Sequence, residues 1–437
     1  MRILYTIGIL LYSLGVRVAA MFGNAKARLW VKGRRAQVSE FAALEDHRRV
    51  ERPNRNDSPL EPALRQAQGP DSSQWIWFHA ASLGEFEQGR PVIEALKQAH
   101  PEFKILLSFF SPSGYEVRKN YPLADEVLYL PTDTPRHAKA WVQRHHYVAA
   151  FFIKYEFWFN YMRALEEEGI PLFYIALILK PDSYFFRWYG SWFRKQLKAV
   201  DHFFVQDEAT AKSLKKHGMD NLTVCGDTRF DRVAAIAEQA KPFPEVERFI
   251  AGRKCIIAGS TWPPDERLWP AFVSRLPEDY CLIIAPHDIS GSHVAQIKTM
   301  FPDSQCYTEL DVEKRTKILI VNTIGILSQL YQYARFVYIG GGFGVNIHNI
   351  QEPVTFGCPV IFGPKYTSFK EAVDLVALQG AFPIHHADDL EATALRLMDD
   401  EAFYAQASAT CRRYLESQVG ATKIIIKGFE KALFCKK

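Results

Sequence analysis

At 437 residues and 48% hydrophobic, with 53 basic against 49 acidic side chains and a net charge of +4, the chain is too long for one ordinary core and too apolar to be disordered, so two globular domains are expected. The near balance of charge gives nucleic-acid binding no support. The seven cysteines all lie from Cys225 onward, are odd in number and lack CxxC or Cys/His spacing, so they support neither a disulfide framework nor structural zinc and fit a reducing cytoplasm.

The chain opens on an uncharged run, Ile3 to Val16, followed by Arg17, Lys26, Arg28, Lys32, Arg34 and Arg35 with no acid between them. A spanning helix needs about 20 apolar residues and Arg17 interrupts this run, so residues 1–23 read as a membrane anchor that is either a short tilted span or a helix lying in the interface. The basic residues that follow favour the cytoplasmic side and attract anionic headgroups. A signal peptide cleaved near Val18-Ala19-Ala20 is the competing reading; its n-region has only Arg2, and the sequence after it is strongly basic. Residues 24–74 form a basic segment and then a linker or surface insertion, since Arg48 to Gln74 is charged and carries Pro53, Pro59, Pro62 and Pro70.

From Trp75 short apolar runs alternate with helical stretches: WIWFHA, a helix through PVIEALKQA, KILLSFF, a helix near YEVRKNY, then EVLYLP, YVAAFFI, PLFYIAL and HFFVQ. After the break at Lys241-Pro242-Phe243-Pro244 the rhythm resumes with CIIAGS, CLIIAP, ILIV, FVYIG and PVIFG. The expectation is α/β: two doubly wound Rossmann-like domains, residues 75–238 and 239–418, facing a cleft, with ligands beyond the carboxyl ends of the strands. Residues 419–437 read as a terminal helix packing back on the first domain. No GxGxxG follows the first strand and no GxxxxGK[ST] occurs, which removes the usual support for a dinucleotide fold or a P-loop.

The strand ends carry the candidate chemistry. In His79-Ala80-Ala81-Ser82-Leu83-Gly84-Glu85, Gly84 permits a tight turn and Glu85 opens a helix, where it serves as a general base or merely complements the helix dipole; spacing alone favours the dipole. Glu156 follows YVAAFFI among large aromatics, where burial raises a carboxyl pKa unless a partner is present; Lys154 is close in sequence, and a satisfied loop-end carboxylate is the plainer reading. Arg229, in Gly226-Asp227-Thr228-Arg229-Phe230-Asp231, suits a phosphate or carboxylate clamp, or a local bridge to Asp231. Gly259, Ser260 and Thr261 form an anion cradle or a helix cap. His287 ends CLIIAP as a phosphate contact or a structural histidine. Gly340-Gly341-Gly342-Phe343-Gly344, followed by Ile347-His348-Asn349-Ile350-Gln351-Glu352-Pro353, supplies close backbone approach to a phosphate-bearing ligand and a helix start aimed at it; Glu352 binds a ribose diol or completes a capping-box-like pair with Asn349.

Together, HAASLGEFEQGRPVIEAL, FFIKYEFWFNYM, VQDEATAKSLKKHG, GDTRFDR, IIAGSTWPPDE, IIAPHD and GGGFGVNIHNIQEPVTFGCPVIFGP resemble, in order and spacing across about residues 75 to 430, the bacterial 3-deoxy-D-manno-octulosonic acid (Kdo) transferase family, in a Bacteroidetes-like branch. The resemblance implies a GT-B fold and an inverting, metal-independent transfer of Kdo from CMP-Kdo to a glucosamine hydroxyl of a lipid A precursor. It places the enzyme at the cytoplasmic face of the inner membrane, in contact with its lipids, with no cofactor beyond the donor substrate. Glu85 matches the family's proton acceptor, with Ser82, Gly84, Glu156 and Arg229 in acceptor-side or supporting positions. The nucleotide side comprises Pro286 and His287, Thr323, Ile324, Gly325 and Ile326, and the Gly341 and Gly342 loop running into Asn349, Ile350, Gln351 and Glu352.

The chain departs from the pattern at Ala285-Pro286-His287, where relatives carry Pro-Arg-His, at Ile326, where an acid is common, and between Ile175 and Ser183. Two alternatives stand beside this reading: another GT-B glycosyltransferase with a different nucleotide sugar, which the Ser82 to Glu85 segment disfavours, and a membrane-tethered binding protein that has lost turnover, which retention of Glu85 disfavours. Oligomeric state and the number of Kdo units transferred are not encoded in any of these motifs.

Overall fold

Two parallel seven-stranded sheets organise the computed structural model, which describes residues 1–35, 37 and 73–434. The insertion read between Arg48 and Gln74 lies outside these residues, apart from Ser73 and Gln74. Each sheet belongs to its own compact unit: Met1–Thr228 with Gly420–Lys437, and Arg229–Val419.

The first sheet contains β1 (Trp75–Ala80), β2 (Lys104–Phe109), β3 (Glu126–Tyr129), β4 (Tyr147–Ile153), β5 (Leu172–Leu177), β6 (His202–Val205) and β7 (Leu222–Val224), in the order β3-β2-β1-β4-β5-β6-β7. The second contains β8 (Lys254–Thr261), β9 (Tyr280–Pro286), β10 (Gln305–Cys306), β11 (Ile318–Ile320), β12 (Ala334–Ile339), β13 (Val360–Phe362) and β14 (Ala381–Pro383), in the order β10-β11-β9-β8-β12-β13-β14. Every residue of β1 and of β9 is buried, as expected of parallel strands covered on both faces. Alternation along each strand divides its side chains between two cores: Trp75 and Trp77 enter one, Ile76, Phe78 and Ala80 the other; in the second unit Cys255 and Ile257 separate in the same way from Ile256 and Ala258. The runs read as strands from the sequence coincide with these elements, and the alternation of helix with parallel strand gives the doubly wound α/β architecture. The described cysteines are buried thiols.

The helix Thr228–Glu238 buries Phe230 and Val233 in the second core, Phe230 meeting Tyr414 edge to face at 5.9 Å, and for that reason the units divide at Thr228/Arg229. At the other end of the second unit, the helix Ala421–Phe434 crosses back to the first sheet, where Phe429 packs at 5.4 Å from Phe151 and 5.8 Å from Phe173. Gly428 lies against the Phe204 ring there, close enough that any Cβ would collide with it.

The amino-terminal helix α1 (Arg2–Met21) is long and apolar enough to cross a membrane. One edge of it is fixed to the first unit: Arg2 Nε donates to Asn160 Oδ1 at 3.1 Å, Tyr5 Oη donates to Asp133 at 2.6 Å, and Tyr5 meets Phe159 edge to face. The opposite side, with Ile3, Leu4, Leu10, Leu11 and Leu14, is exposed. A second helix, α2 (25–35), returns along the unit. Its buried Arg34 donates to the carbonyls of Leu130 and Phe110 and lies 3.9 Å from the centroid of its own neighbour Trp30.

Asp133 is the pin of this attachment, because its fully buried carboxylate also accepts the backbone N–H groups of Asn160 and Tyr161. Replacing it by alanine strands two buried amides and a phenol. Asp133→Ala is therefore expected to lower unfolding free energy by about 3 kcal/mol, and Tyr5→Phe, which removes one bond, by about 1 kcal/mol, as measured by urea denaturation of detergent-solubilised protein. Equal effects of the two changes would contradict this account.

Candidate functional site

In a doubly wound sheet, ligands bind outside the carboxyl ends of the strands where the strand order reverses. That reversal falls between β1 and β4 in the first unit and between β8 and β12 in the second, so each unit has one switch point and the candidate residues are described at each in turn.

In the first unit, β1 runs into the turn Ala81-Ser82 and the helix α3 (Leu83–Ala99). Ser82 occupies the N-cap position, but its hydroxyl donates to the Glu85 carboxylate instead of accepting from a backbone amide. Gly84 is exposed, and Glu85 sits half-buried in the first turn of α3, where the free amides of the helix start favour its negative charge. One turn further, the Gln88 amide reaches the Asp227 carboxylate at 3.4 Å, and the Thr228 hydroxyl donates to the Gln88 carbonyl. The helix bearing Glu85 is thus tied to the Gly226-Asp227-Thr228 segment.

On the β4 side, Glu156 accepts from the Trp158 indole N–H at 2.9 Å and lies 3.6 Å from His79 Nε2. Lys154 is not its partner: at φ 68° its backbone turns away and its ammonium lies over the Tyr155 ring. His79 is fully buried, and its contacts assign its tautomer. Trp158 Nε1 can only donate, so His79 Nε2 at 2.9 Å accepts; the ring proton is then on Nδ1 and is donated to Ser108 Oγ at 2.9 Å. One indole N–H therefore serves both the imidazole and the Glu156 carboxylate. The sequence places Glu156 beside large aromatics, one of which, Trp158, is its donor two residues on; His79 is not legible as a partner because that pairing spans β1 and β4.

In the second unit, β8 ends in Gly259, Ser260 at φ 54° and Thr261. Thr261 does not cap the next helix with its hydroxyl, which donates to buried Glu266 at 2.9 Å; Trp262 holds the N-cap position. Glu266 in turn pairs with His293 at 2.9 Å. Across the switch point, Gly340 takes the place of a side chain: a Cβ there would lie 2.3 Å from Ser260 O and 2.6 Å from Thr261 Cα. Gly341, at φ 93°, cups the His348 ring. The carboxylate of buried Asp265 locks the two loops together by accepting the N–H groups of Trp262 and Gly341, each at 2.9 Å, and the Tyr338 hydroxyl at 2.7 Å.

Pro286 closes β9 as a buried residue, and the exposed His287 ring stacks on Trp262 at 4.6 Å and on His348 at 4.4 Å. Thr323, Ile324, Gly325 and Ile326 form the loop after β11, with Gly325 at φ 89° and Ile324 exposed. Asn349 accepts the Gln351 N–H at 2.9 Å and donates to Glu352 at 3.2 Å, and Ile350 stands at the N-cap. The helix expected near Asn349 is only the five-residue Gln351–Thr355, too short to direct a substantial dipole at a ligand. Burial pushes the Glu352 carboxyl above its ordinary range, against the Asn349 amide and the Arg232 guanidinium, which favour the charge. The Arg229 guanidinium lies 3.8 Å from Glu371, whose carboxylate also accepts from Gln351 Nε2 at 3.1 Å, so Arg229 stands beside the Asn349 to Glu352 turn. The structure therefore gathers Gly259 to Thr261, Pro286, His287, the Thr323 to Ile326 loop and the Gly341 to Glu352 segment at one end of the second sheet. Trp262, Asp265 and His348 belong there too and are not singled out by the sequence; position is the signal for two of them, Trp262 immediately after the Gly-Ser-Thr strand end and His348 immediately before Asn349, while Asp265 carries none.

A family model described as 3-deoxy-D-manno-octulosonic-acid transferase (kdotransferase) matches residues 48–232. Among curated proteins the chain is similar to the 3-deoxy-D-manno-octulosonic acid transferases of Aquifex aeolicus (26% identical over 70% of this chain and 80% of the relative), Chlamydophila psittaci (24%, over 73% and 76%) and Bordetella pertussis (23%, over 81% and 86%). Among solved structures it shares its fold with the UDP-GlcNAc 2-epimerase of Neisseria meningitidis bound to UDP-GlcNAc (TM-score 0.58, 14% identical, 82% of this chain and 100% of that one) and with a UDP-N-acetylglucosamine 2-epimerase of Listeria monocytogenes (0.58, 12%, 83% and 97%).

Asp265 supports the second switch point through three donors at once. Asp265→Ala should cost about 3 kcal/mol of unfolding free energy, against about 1 kcal/mol for Tyr338→Phe, which removes only the phenol; guanidinium melts followed by far-UV circular dichroism measure both, and similar costs would show that the two amides do not depend on this carboxylate.

Proposed function

We propose that this chain, which belongs to the 3-deoxy-D-manno-octulosonic acid transferase family, transfers Kdo in lipopolysaccharide biosynthesis from CMP-Kdo to a glucosamine hydroxyl of a lipid A precursor, with inversion at the anomeric carbon. The observation that carries the reading is the place of Glu85: a half-buried carboxylate in the first turn of α3, at the β1/β4 switch point of the unit that the family model matches.

In this mechanism Glu85 accepts the proton of the acceptor hydroxyl as its oxygen forms the new bond to the anomeric carbon. The bond from that carbon to the phosphate oxygen of the donor breaks on the opposite face, and CMP leaves with the electron pair. Ser82, hydrogen bonded to the Glu85 carboxylate, fixes the base in the direction of its free lone pairs. Charge developing on the departing phosphate is met by donors of the second switch point, among them His287, with Arg229 beside the Asn349 to Glu352 turn; no step calls for a metal ion. Glu352 and Asn349, already linked to each other, are suited to the ribose and cytosine of the nucleotide.

For the membrane, we favour α1 lying in the interface over α1 crossing the bilayer. Arg2 and Tyr5 are bonded to Asn160 and Asp133, and Tyr12 packs 6.0 Å from Phe110, so the first three turns rest on the globular unit while the apolar side stays bare. A groove of about 610 Å³ between α1 and α2 is lined by Arg17, Arg28, Lys32 and Arg35 with Ala20, Met21 and Val31. Four cations beside an apolar helix face suit the phosphate headgroups of an inner-membrane leaflet on its cytoplasmic side.

Glu85→Gln should reduce Kdo transfer onto a tetraacylated lipid A precursor, read by mass spectrometry of the lipid, by about three orders of magnitude while leaving CMP affinity within twofold; normal turnover by this variant would end the assignment of the base. Separately, the double change Arg17→Glu and Lys32→Glu should weaken binding to vesicles containing anionic phospholipid at least about tenfold, at about 1 kcal/mol per charge, and leave CMP affinity unchanged. Undiminished vesicle binding would show that the groove does not face the headgroups.

A further inference from the structure

At the β8/β12 switch point three aromatic rings form a fixed assembly. The Trp262 indole and the His348 imidazole lie edge to edge, with planes 19° apart and Trp262 Nε1 donating to His348 Nε2 at 2.9 Å. The His287 ring lies over both, 4.6 Å from the indole and 4.4 Å from the second imidazole. Each backbone is held independently: the His348 N–H bonds to Gly340 O, the His287 N–H bonds to Thr261 O, and Asp265 holds the Trp262 N–H.

This geometry settles which nitrogen of His348 is available. An indole N–H can only donate, so His348 Nε2 carries the lone pair and the ring proton resides on Nδ1. Among the hydrogen bonds of the described residues, none engages His348 Nδ1. Burial and the neighbouring His287 both pull the His348 pKa down, Asp265 opposing them, which keeps the ring neutral with that one N–H to offer. Gly341 leaves the ring its place, since a Cβ at that position would lie 3.0 Å from it. A free N–H fixed at the point where strand order reverses, beside a backbone loop of glycines, is a donor aimed where a nucleotide phosphate binds in doubly wound sheets.

We propose that His348 binds the phosphate of the nucleotide donor through Nδ1–H, and that Trp262 is the positioning residue that fixes its tautomer and ring plane. The inference rests on the proposed function, with CMP-Kdo as donor, and adds to it two residues of the donor site. His287, stacked on the same pair, offers a second imidazole to the same phosphate.

The test uses the full-length protein in detergent, with CMP and cytidine as probes in calorimetric titrations and CMP-Kdo in steady-state assays. Trp262→Phe keeps a stacking ring but removes the N–H. His348→Ala removes the donor, and His348→Asn keeps an N–H near the Nδ1 position. The expected result is a CMP dissociation constant raised about tenfold by His348→Ala and several-fold by Trp262→Phe, with substantial recovery in His348→Asn. Cytidine binding should be unchanged within twofold. In ¹⁵N spectra of the ligand-free protein, His348 should be the Nδ1–H tautomer in the wild type and a mixture of tautomers in Trp262→Phe, a signature that a purely structural role for the indole would not produce. The proposal is overturned if CMP and cytidine weaken together, if neither weakens, if the penalty appears with CMP-Kdo but not with CMP, which would place the contact on the sugar carboxylate, or if the tautomer is indifferent to Trp262. Wild-type protein that neither binds CMP nor transfers Kdo would instead remove the donor reading itself, whereas active wild type with unaffected variants removes only the role of these two residues.

Discussion

Strands covered by helices on both faces leave no room along their length for functional polar groups, and this constraint sets where the chemistry of the molecule lies. Among the described residues all fourteen strands pair in parallel within two sheets, so each exits at the same end of its own sheet, and the loops there are the places where polar side chains can meet a ligand. At the reversal of strand order the two neighbouring crossovers leave in opposite directions and open a gap. Glu85 and Glu156 flank that gap in the first unit, and Trp262 and His348 flank it in the second.

A gap lined by buried strand ends must still satisfy the polar groups it encloses, and both units do so with an indole. In the first, the Trp158 N–H is shared between His79 and Glu156; in the second, the Trp262 N–H is given to His348. Tryptophan suits this position because it has a donor and no acceptor, so it dictates the tautomer of an imidazole without competing for its proton. In His79 the dictated proton points inward to Ser108, which makes the residue part of the scaffold. In His348 it points to no described partner. The same device thus holds the strand end in one unit and leaves a hydrogen-bond donor without a described partner in the other.

Most of the strand framework was legible in the sequence, since runs such as YVAAFFI and CLIIAP combine length, β-branched and aromatic residues and clear boundaries. What escaped was short or long-range. β10 has two residues and β14 ends in a proline, too little for a period to register, and the helices Ala387–Asp399 and Glu401–Gln418 carry none of the strand-end motifs. Positions of the site residues at strand ends were legible as well, because each follows an apolar run. Their partners were less so: Glu156 with His79 and Arg229 with Glu371 are joined by topology and not by spacing, while Glu156 with Trp158 and Thr261 with Glu266 are near in sequence, where spacing does not say which side chains turn toward each other. The capping-box-like pair of Asn349 and Glu352 illustrates the limit, for the two side chains do bond to each other, yet the helix they were expected to open is barely more than one turn.

The attachment of α1 bears on the first switch point through packing. Tyr12 of α1 and Arg34 of α2 both lie against Phe110, the residue that follows β2, and Phe110 packs 4.7 Å from the Trp158 ring. Trp158 is the indole that holds His79 and Glu156 at the first switch point. Tyr12 of the apolar helix is therefore linked to the Glu156 carboxylate through two intervening side chains, Phe110 and Trp158. Because Asp133 and Arg34 are buried and bonded to backbone groups of the same unit, α1 and α2 cannot shift along the unit without breaking buried hydrogen bonds. The place of these two helices on the unit is thereby fixed relative to the β1/β4 switch point, so any surface that engages the bare apolar side of α1 meets that switch point at a set distance.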